Sequence, residues 1–302
     1  MKTSSIVGTF VLGLSWLSLA TIASAQTDLR WKLQPGEQFA VNVAQQTISD
    51  VAYSGKKVTT QIDLAMDLGW TVTAADEKAI TIKQSLQRLT FKMESPKVGK
   101  ITYDSADKSR PTGQAREVAA AIAPLLAAEI LLEMNARGEV LSAKPANEAA
   151  EKLLASGSDG ADSSLFSKQA IQQLLRQSLV VLPENSVAEG DSWTNSTDID
   201  SALGKGQQKT TFTFSGTAEQ DGAAVARIDV ASKLDLTAPA ATANKPLVKE
   251  HQQNGTVFFS TEQGRVVSAK QSQTLVTERP YRETTIVVTL KSEQTTTLKP
   301  TK

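Results

Sequence analysis

The sequence predicts an α+β protein: one large, curved, mostly antiparallel sheet, half-barrel-like and in two similar halves, with central helices on its concave face. Three observations point there. Apolar and polar residues alternate over long stretches on either side of the chain's middle. The middle itself changes to helical spacing, and one seven-residue segment occurs twice.

The first 25 residues read as a cleaved leader. Lys2 is followed by an apolar run from Ile6 to Ala20 and then by Ala23-Ser24-Ala25, the small-x-small pattern that signal peptidase needs. The run is too short for an ordinary membrane span. A soluble mature chain starting at Gln26 and exported to the periplasm or beyond is therefore expected. With no cysteine in the sequence, there is no thiol for a lipid anchor, a disulfide, a thiolate metal site or a nucleophile. Basic and acidic residues balance at 32 each, so no net field favours nucleic acid or an anionic membrane. The most apolar later stretch, "VAAAIAPLLAAEILLEM" at 118–134, is broken by Pro124 and Glu129. No transmembrane segment is expected in the mature chain.

The strands come next. In "TTQIDLAMDLGWTVT" at 59–73, Ile62, Leu64, Met66, Leu68, Trp70 and Val72 hold every second position, as in a strand with one buried face. A turn at "AADEKA" precedes Ile80, Ile82 and Leu86; then the phase slips to Leu89, Phe91 and Met93. A slip of one residue predicts a β-bulge near Gln87-Arg88, and bulges bend sheets. Later, Phe212 and Phe214 lead to a Gln220-Asp221-Gly222 turn. Ile228, Val230, Leu234 and Leu236 resume the alternation, followed by strands at 255–260, 265–277 and 283–298. Threonine is frequent on the outward positions, as a half-exposed pleated surface prefers.

Helical spacing fills the centre. Gln114 to Ala123 predicts a short helix bent or ended at Pro124. Pro145 suits the first turn of a second helix, "ANEAAEKLLA". After a polar linker at 156–164, Asp162 or Ser163 would cap a third helix carrying Phe166, Ala170, Ile171, Leu174 and Leu175.

The repeated segment is "GEVLSAK" at 138–144 and "GRVVSAK" at 264–270. Each follows a turn ("NARG" or "TEQG") and an apolar segment, so each reads as the second arm of a hairpin whose glycine takes positive φ. "PGEQF" at 35–39 and "EGDSW" at 189–193 each open a half. The expected organisation is a leader at 1–25 and a single exported domain at 26–302. Its halves, about 29–144 and 185–300, are joined by a helical segment at 145–178.

"LRWKLQPGEQF" at 29–39, "LGWTVT" at 68–73, "LEMNARGEV" at 132–140, "SLVVLPENSVAEGDSW" at 178–193 and "NGTVFFSTEQGRVVSAK" at 254–270 together resemble a family of exported bacterial proteins known as a domain of unknown function. These are turn and strand-start signatures; none is catalytic. More remotely, the arrangement is similar to the periplasmic lipoprotein carriers, and that resemblance implies a curved sheet wrapping helices and sheltering an acyl chain.

Little catalytic chemistry is on offer. The single histidine, His251, has polar neighbours, reads as an exposed residue just before a strand, and accompanies no G-x-S-x-G elbow. Asp63 and Asp67 share a face about 13 Å apart, which fits neither glycosidase spacing and reads as a solvated surface. "SDGAD" at 158–162 lacks calcium-loop spacing. Gly204 and Gly206 read as a turn, and Asn254-Gly255 as turn chemistry. No enzyme, cofactor or metal is expected. What remains is an apolar inner face of Leu64, Met66, Leu68, Trp70, Phe91, Ile228, Val230 and Leu234. In the plain reading, helices at 114–126 and 162–178 fill its hollow as a core. In the functional reading they leave room for a lipophilic or acylated guest or a polypeptide segment, with the loop at 237–247 at the mouth. The alternative is a structural or interaction component of the envelope with no small-molecule ligand.

Overall fold

A computed structural model of the chain describes residues 26–155, 179–201, 203–237 and 246–301. The leader, the 156–164 linker, the third helix and most of the 237–247 loop lie outside the described residues.

Long alternating stretches become long strands. They are β1 (Gln38–Tyr53), β2 (Lys56–Ala75), β3 (Ile80–Ser95), β4 (Gly99–Asp104), β5 (Glu129–Met134) and β6 (Val140–Pro145). After the middle of the chain follow β7 (Ser192–Ser201), β8 (Gly204–Gln220), β9 (Ala223–Thr237), β10 (Leu247–Ser260), β11 (Arg265–Tyr281) and β12 (Thr284–Pro300). All pairings are antiparallel, in the order β6-β5-β3-β2-β1-β12-β11-β10-β9-β8-β7, with β4 also on β3. The sheet is open, with β6 and β7 at its edges.

The expected bulge is present. Asp67 pairs with Arg88 and Leu68 with Leu86, leaving Gln87 unpaired. Gly69 makes room for it: a Cβ there would sit 2.2 Å from the Gln87 amide nitrogen.

Two helices are described, α1 (Gln114–Ala127) and α2 (Glu148–Ala155). α1 packs on β3 and β4, and α2 on β5 and β6. Ile122 of α1 is fully buried in the main core, whereas α2 buries Ala150 in a small cluster with Ala128 and Ile130. The first helix occupies the expected 114–126 and runs to Ala127, with Pro124 inside its last turn. One sequence expectation is corrected here. Pro145 is not in a helix: it ends β6 on the sheet's edge, where no ladder donor is required of it. Asn147 caps α2 instead, its Oδ1 accepting from the Ala150 N–H at 2.9 Å.

Both repeat glycines take positive φ, 83° at Gly138 and 60° at Gly264. They meet one strap. The Trp31 amide donates to Ala136 O (2.8 Å) in the β5–β6 turn, and the next amide, Lys32, donates to Gly264 O (2.9 Å) in the β10–β11 turn. These two turns are six strand steps apart in the sheet, about 29 Å if it were flat. Adjacent amides hold their acceptors within about 10 Å. The sheet is therefore bowed at this end. A second strap, 179–187, runs across the same end: Leu182 N donates to Arg137 O, and Trp193 Nε1 of edge strand β7 donates to Val181 O. Leu29, Trp31, Leu33, Val180, Leu182 and Val187 fill the hollow beneath.

The lead-ins to β1 and β7 match bond for bond. Gly36 N donates to Val72 O and Val72 N to Glu37 O; Gly190 N donates to Phe214 O and Phe214 N to Asp191 O. Glu37 and Asp191 each also accept from the amide three residues back, Gln34 and Ala188.

Candidate functional site

The inner face divides into three bands. Val41 pairs with Leu298 and both are buried, which fixes the inward direction of β1 and β12. Every second residue from there also points inward. The first band is the core, sealed by the two straps. Met66, Leu68, Trp70 and Phe91 lie in it with Ile228 and Val230 of the other half. The sheet and the straps thus bring together six of the eight apolar positions expected to line a binding face, and all six are packed core. Leu64 is half-buried and touches that core. Leu234 is half-buried elsewhere, paired with Gln208.

The second band is polar and uncharged. Its inward pairs are Gln45–Gln294 and Thr47–Ser292, continued by Gln271, Gln273 and Gln253 on β11 and β10. These side chains bond to one another or to neighbouring hydroxyls. Gln45 Nε2 donates to Thr47 Oγ1 at 3.0 Å, Gln208 Nε2 to Gln253 Oε1 at 2.9 Å, and Thr210 shares a 2.9 Å bond with Ser232.

The third band is apolar again. Val51 pairs with Val58 and Val288, and Leu290 with Leu275. All five are half-buried. The strands that carry them, β2, β1, β12 and β11, are neighbours. Sequence reasoning missed this patch and the belt before it. The signal was available: Leu290, Ser292, Gln294, Thr296 and Leu298 share one phase, so polar residues interrupt an otherwise apolar face.

His251 is a correction. It is not exposed before a strand but lies within β10, half-buried and inward, because β10 begins at Leu247 rather than near 255. Its Nε2 lies 3.2 Å from Gln273 Nε2, and its buried Nδ1 has no partner. Burial lowers its pKa from the ordinary 6.5. Asn254-Gly255 and Gly206 are likewise strand rather than turn. At both glycines the bare Cα lets a neighbouring backbone approach: a Cβ would lie 2.6 Å from Lys270 O at Gly255 and 2.0 Å from Asp235 O at Gly206.

Two more polar groups are sealed in the core. Trp70 and Gln84 face each other across β2 and β3. Trp70 Nε1 and both amide atoms of Gln84 are buried without a hydrogen-bond partner. On the outer face, Asp67 accepts from Asn42 (2.7 Å) and Asp63 from Gln46 (3.0 Å), each its cross-strand partner. Among the described residues no group of three or more His, Asp or Glu is placed to hold a metal. No described helix is long and apolar enough to cross a membrane.

The fold and these bands define a large antiparallel sheet protein with an internally sealed core and a belted inner face. Residues 77–300 match a family of unknown function, DUF6263, and the chain belongs to that family. No curated protein matches. Among solved structures, the chain overlaps one of lipid–protein interactions in lipovitellin at TM-score 0.49 and 12% identity. That overlap covers 89% of this chain and 25% of that one, so the chain spans about a quarter of its length. An outer membrane channel from Pseudomonas putida F1 overlaps at TM-score 0.27 and 9% identity, with 89% and 97% covered. DynF from the dynemicin biosynthesis pathway of Micromonospora chersina overlaps at 0.20 and 9%, with 94% and 92% covered. At such scores and identities these overlaps say nothing about a ligand.

Proposed function

We propose that this chain is an exported, non-enzymatic binding protein of the cell envelope that takes a lipophilic or acylated molecule against its inner face. The observation that carries this reading is the half-buried patch of Val51, Val58, Leu275, Val288 and Leu290, set apart from the sealed core by the amide belt on β1, β12 and β11 and by Thr60 on β2. A core needs contiguity, and a patch cut off by polar side chains adds nothing to it. Apolar surface held together at a site away from the core is the usual mark of a contact surface. An acyl chain would lie on the patch while its hydrogen-bonding head meets the belt. The reading is non-catalytic because the belt's glutamine and hydroxyl side chains hydrogen-bond without exchanging protons near neutral pH, and its one imidazole, His251, meets Gln273 rather than a carboxylate that would orient it as a base.

A second reading has its own support. Among the described residues, β6 and β7 each have one unpaired side, and such edges accept an added strand. The occupant would then be a polypeptide segment, in a structural or interaction role.

Native mass spectrometry separates the two. Protein purified from the envelope is expected to carry a lipophilic adduct and to brighten an apolar dye, and Leu275→Gln with Leu290→Gln is expected to abolish both. A bare mass with no dye response, or adducts indifferent to these substitutions, would remove the lipid reading.

A further inference from the structure

We infer that the chain docks onto an anionic lipid bilayer through the end of the sheet opposite the straps. Three neighbouring hairpin turns lie at that end, β1–β2, β3–β4 and β11–β12, with the β7–β8 turn at the sheet's far edge. The first carries Lys56 and Lys57, the second Lys97 and Lys100, and the third Arg279 and Arg282, all exposed. The acidic residues among them are Asp50, Glu94, Glu278 and Glu283; Asp50 is paired with Lys57 and Glu278 with Lys249.

The other end has the opposite sign. Its exposed turns and strap present Asp76, Glu77, Glu189, Asp191, Asp221 and Glu262 against Lys32 and Lys78. The whole chain is neutral, so the separation attracts no anion in general. Instead it orients the molecule, basic end first, towards a negatively charged plane.

Apolar side chains sit among those cations. Tyr281 is 45% exposed and Val98 44%. Two of the chain's three tyrosines are here, each under a cation: Lys97 Nζ lies 5.4 Å from the Tyr53 ring and Arg282 Cζ 5.5 Å from the Tyr281 ring. Aromatic rings paired with Lys and Arg suit the depth of lipid headgroups, where the ring leaves water and the cation meets phosphate. Tyr53 and Tyr281 also continue the inward phase of Val51 and Leu275. The docking end therefore leads directly onto the third band of the inner face. Docking stands apart from the ligand reading, because it needs the turns alone and is measured with lipids that need not be carried.

The test is co-sedimentation with vesicles of phosphatidylcholine alone and of phosphatidylcholine mixed with phosphatidylglycerol. Binding is expected only to the mixed vesicles and should weaken as salt rises. Lys97→Glu with Arg282→Glu should lower partitioning by about tenfold or more, whereas Lys78→Glu, at the opposite end, should leave it unchanged. Tyr281→Trp should be quenched by brominated lipid. All these side chains are exposed, and circular dichroism checks that each variant is folded. Equal binding to neutral vesicles, no binding, or indifference to the charge reversals would overturn the proposal. So would retention on a soluble acidic polymer without vesicle binding. An adduct lost while vesicle binding persists would bear on the ligand reading alone.

Discussion

Trp70 and Gln84 stand opposite each other on β2 and β3, fully enclosed, and the indole N–H and the whole amide lack hydrogen-bond partners. Around them are Ile82, Leu68, Val72 and, on β5, Ile130. A buried amide without partners loses its hydration and regains nothing. Gln84→Met keeps the shape and removes that loss, so it is expected to stabilise the protein by about 1–2 kcal/mol. Urea unfolding, read at constant m-value, checks it. A destabilised variant would mean that Gln84 has a bonding partner in solution.

Gly138 and Gly222 separate strain from crowding. Both take positive φ, 83° and 79°. Alanine at either position carries about 1–2 kcal/mol of left-handed strain. At Gly222 nothing lies within 4 Å of the added Cβ, whereas at Gly138 it would stand 2.4 Å from Val180 O and 2.6 Å from Trp31 Nε1. Gly138→Ala must also push the straps aside, and a further loss of about 1–3 kcal/mol is expected. Paired thermal melts of the two variants measure the difference. Equal losses would show that the straps give way freely.

What the sequence disclosed follows from what is local. The period-two runs, the Gln87 bulge and the two hairpin glycines depend on neighbours in the chain, and each lies where its pattern placed it. The strand at 247–254 escaped because "LVKEHQQN" carries few apolar residues. Its inward side chains belong to the polar belt, so alternation by hydropathy had nothing to register. The candidate lining was legible as a face but not as a volume. Leu68 and Trp70 share one core cluster with Trp31 and Leu182, from straps remote in sequence, and no periodicity announces such company.

Asp104 fastens the end of β4 to β3. The Arg88 guanidinium donates to both its oxygens, at 3.0 and 2.6 Å, and the Ala106 amide donates at 2.9 Å. The Arg88 bonds, with the Ala106 amide second, hold its carboxyl at about 2, below the ordinary 3.8. The folded pKa lies below the unfolded one, so the stabilisation is complete above about 3.8 and disappears as pH falls through about 2. Because the pair is partly exposed, Asp104→Asn should cost no more than about 1 kcal/mol at neutral pH. The gap between wild type and variant should close across that acid window. A gap that persists below it would assign the effect to packing against α1.

His251 gives stability a dependence on pH of the opposite origin. Its imidazole sits inward on β10, with Gln273 at Nε2, Leu275 paired across from it and Nδ1 enclosed without a partner. Desolvation disfavours the charged ring and lowers the folded pKa below 6.5. Between the two values the unfolded chain holds a proton that the folded chain refuses, so stability falls as pH drops below about 6.5 and levels off once the folded ring also protonates. His251→Gln keeps a neutral hydrogen-bonding group in the belt and should flatten the curve between neutrality and that plateau. Denaturation midpoints of both proteins, taken stepwise from pH 8 to pH 5, check it; parallel curves would mean that the ring reaches water and titrates as freely folded as unfolded.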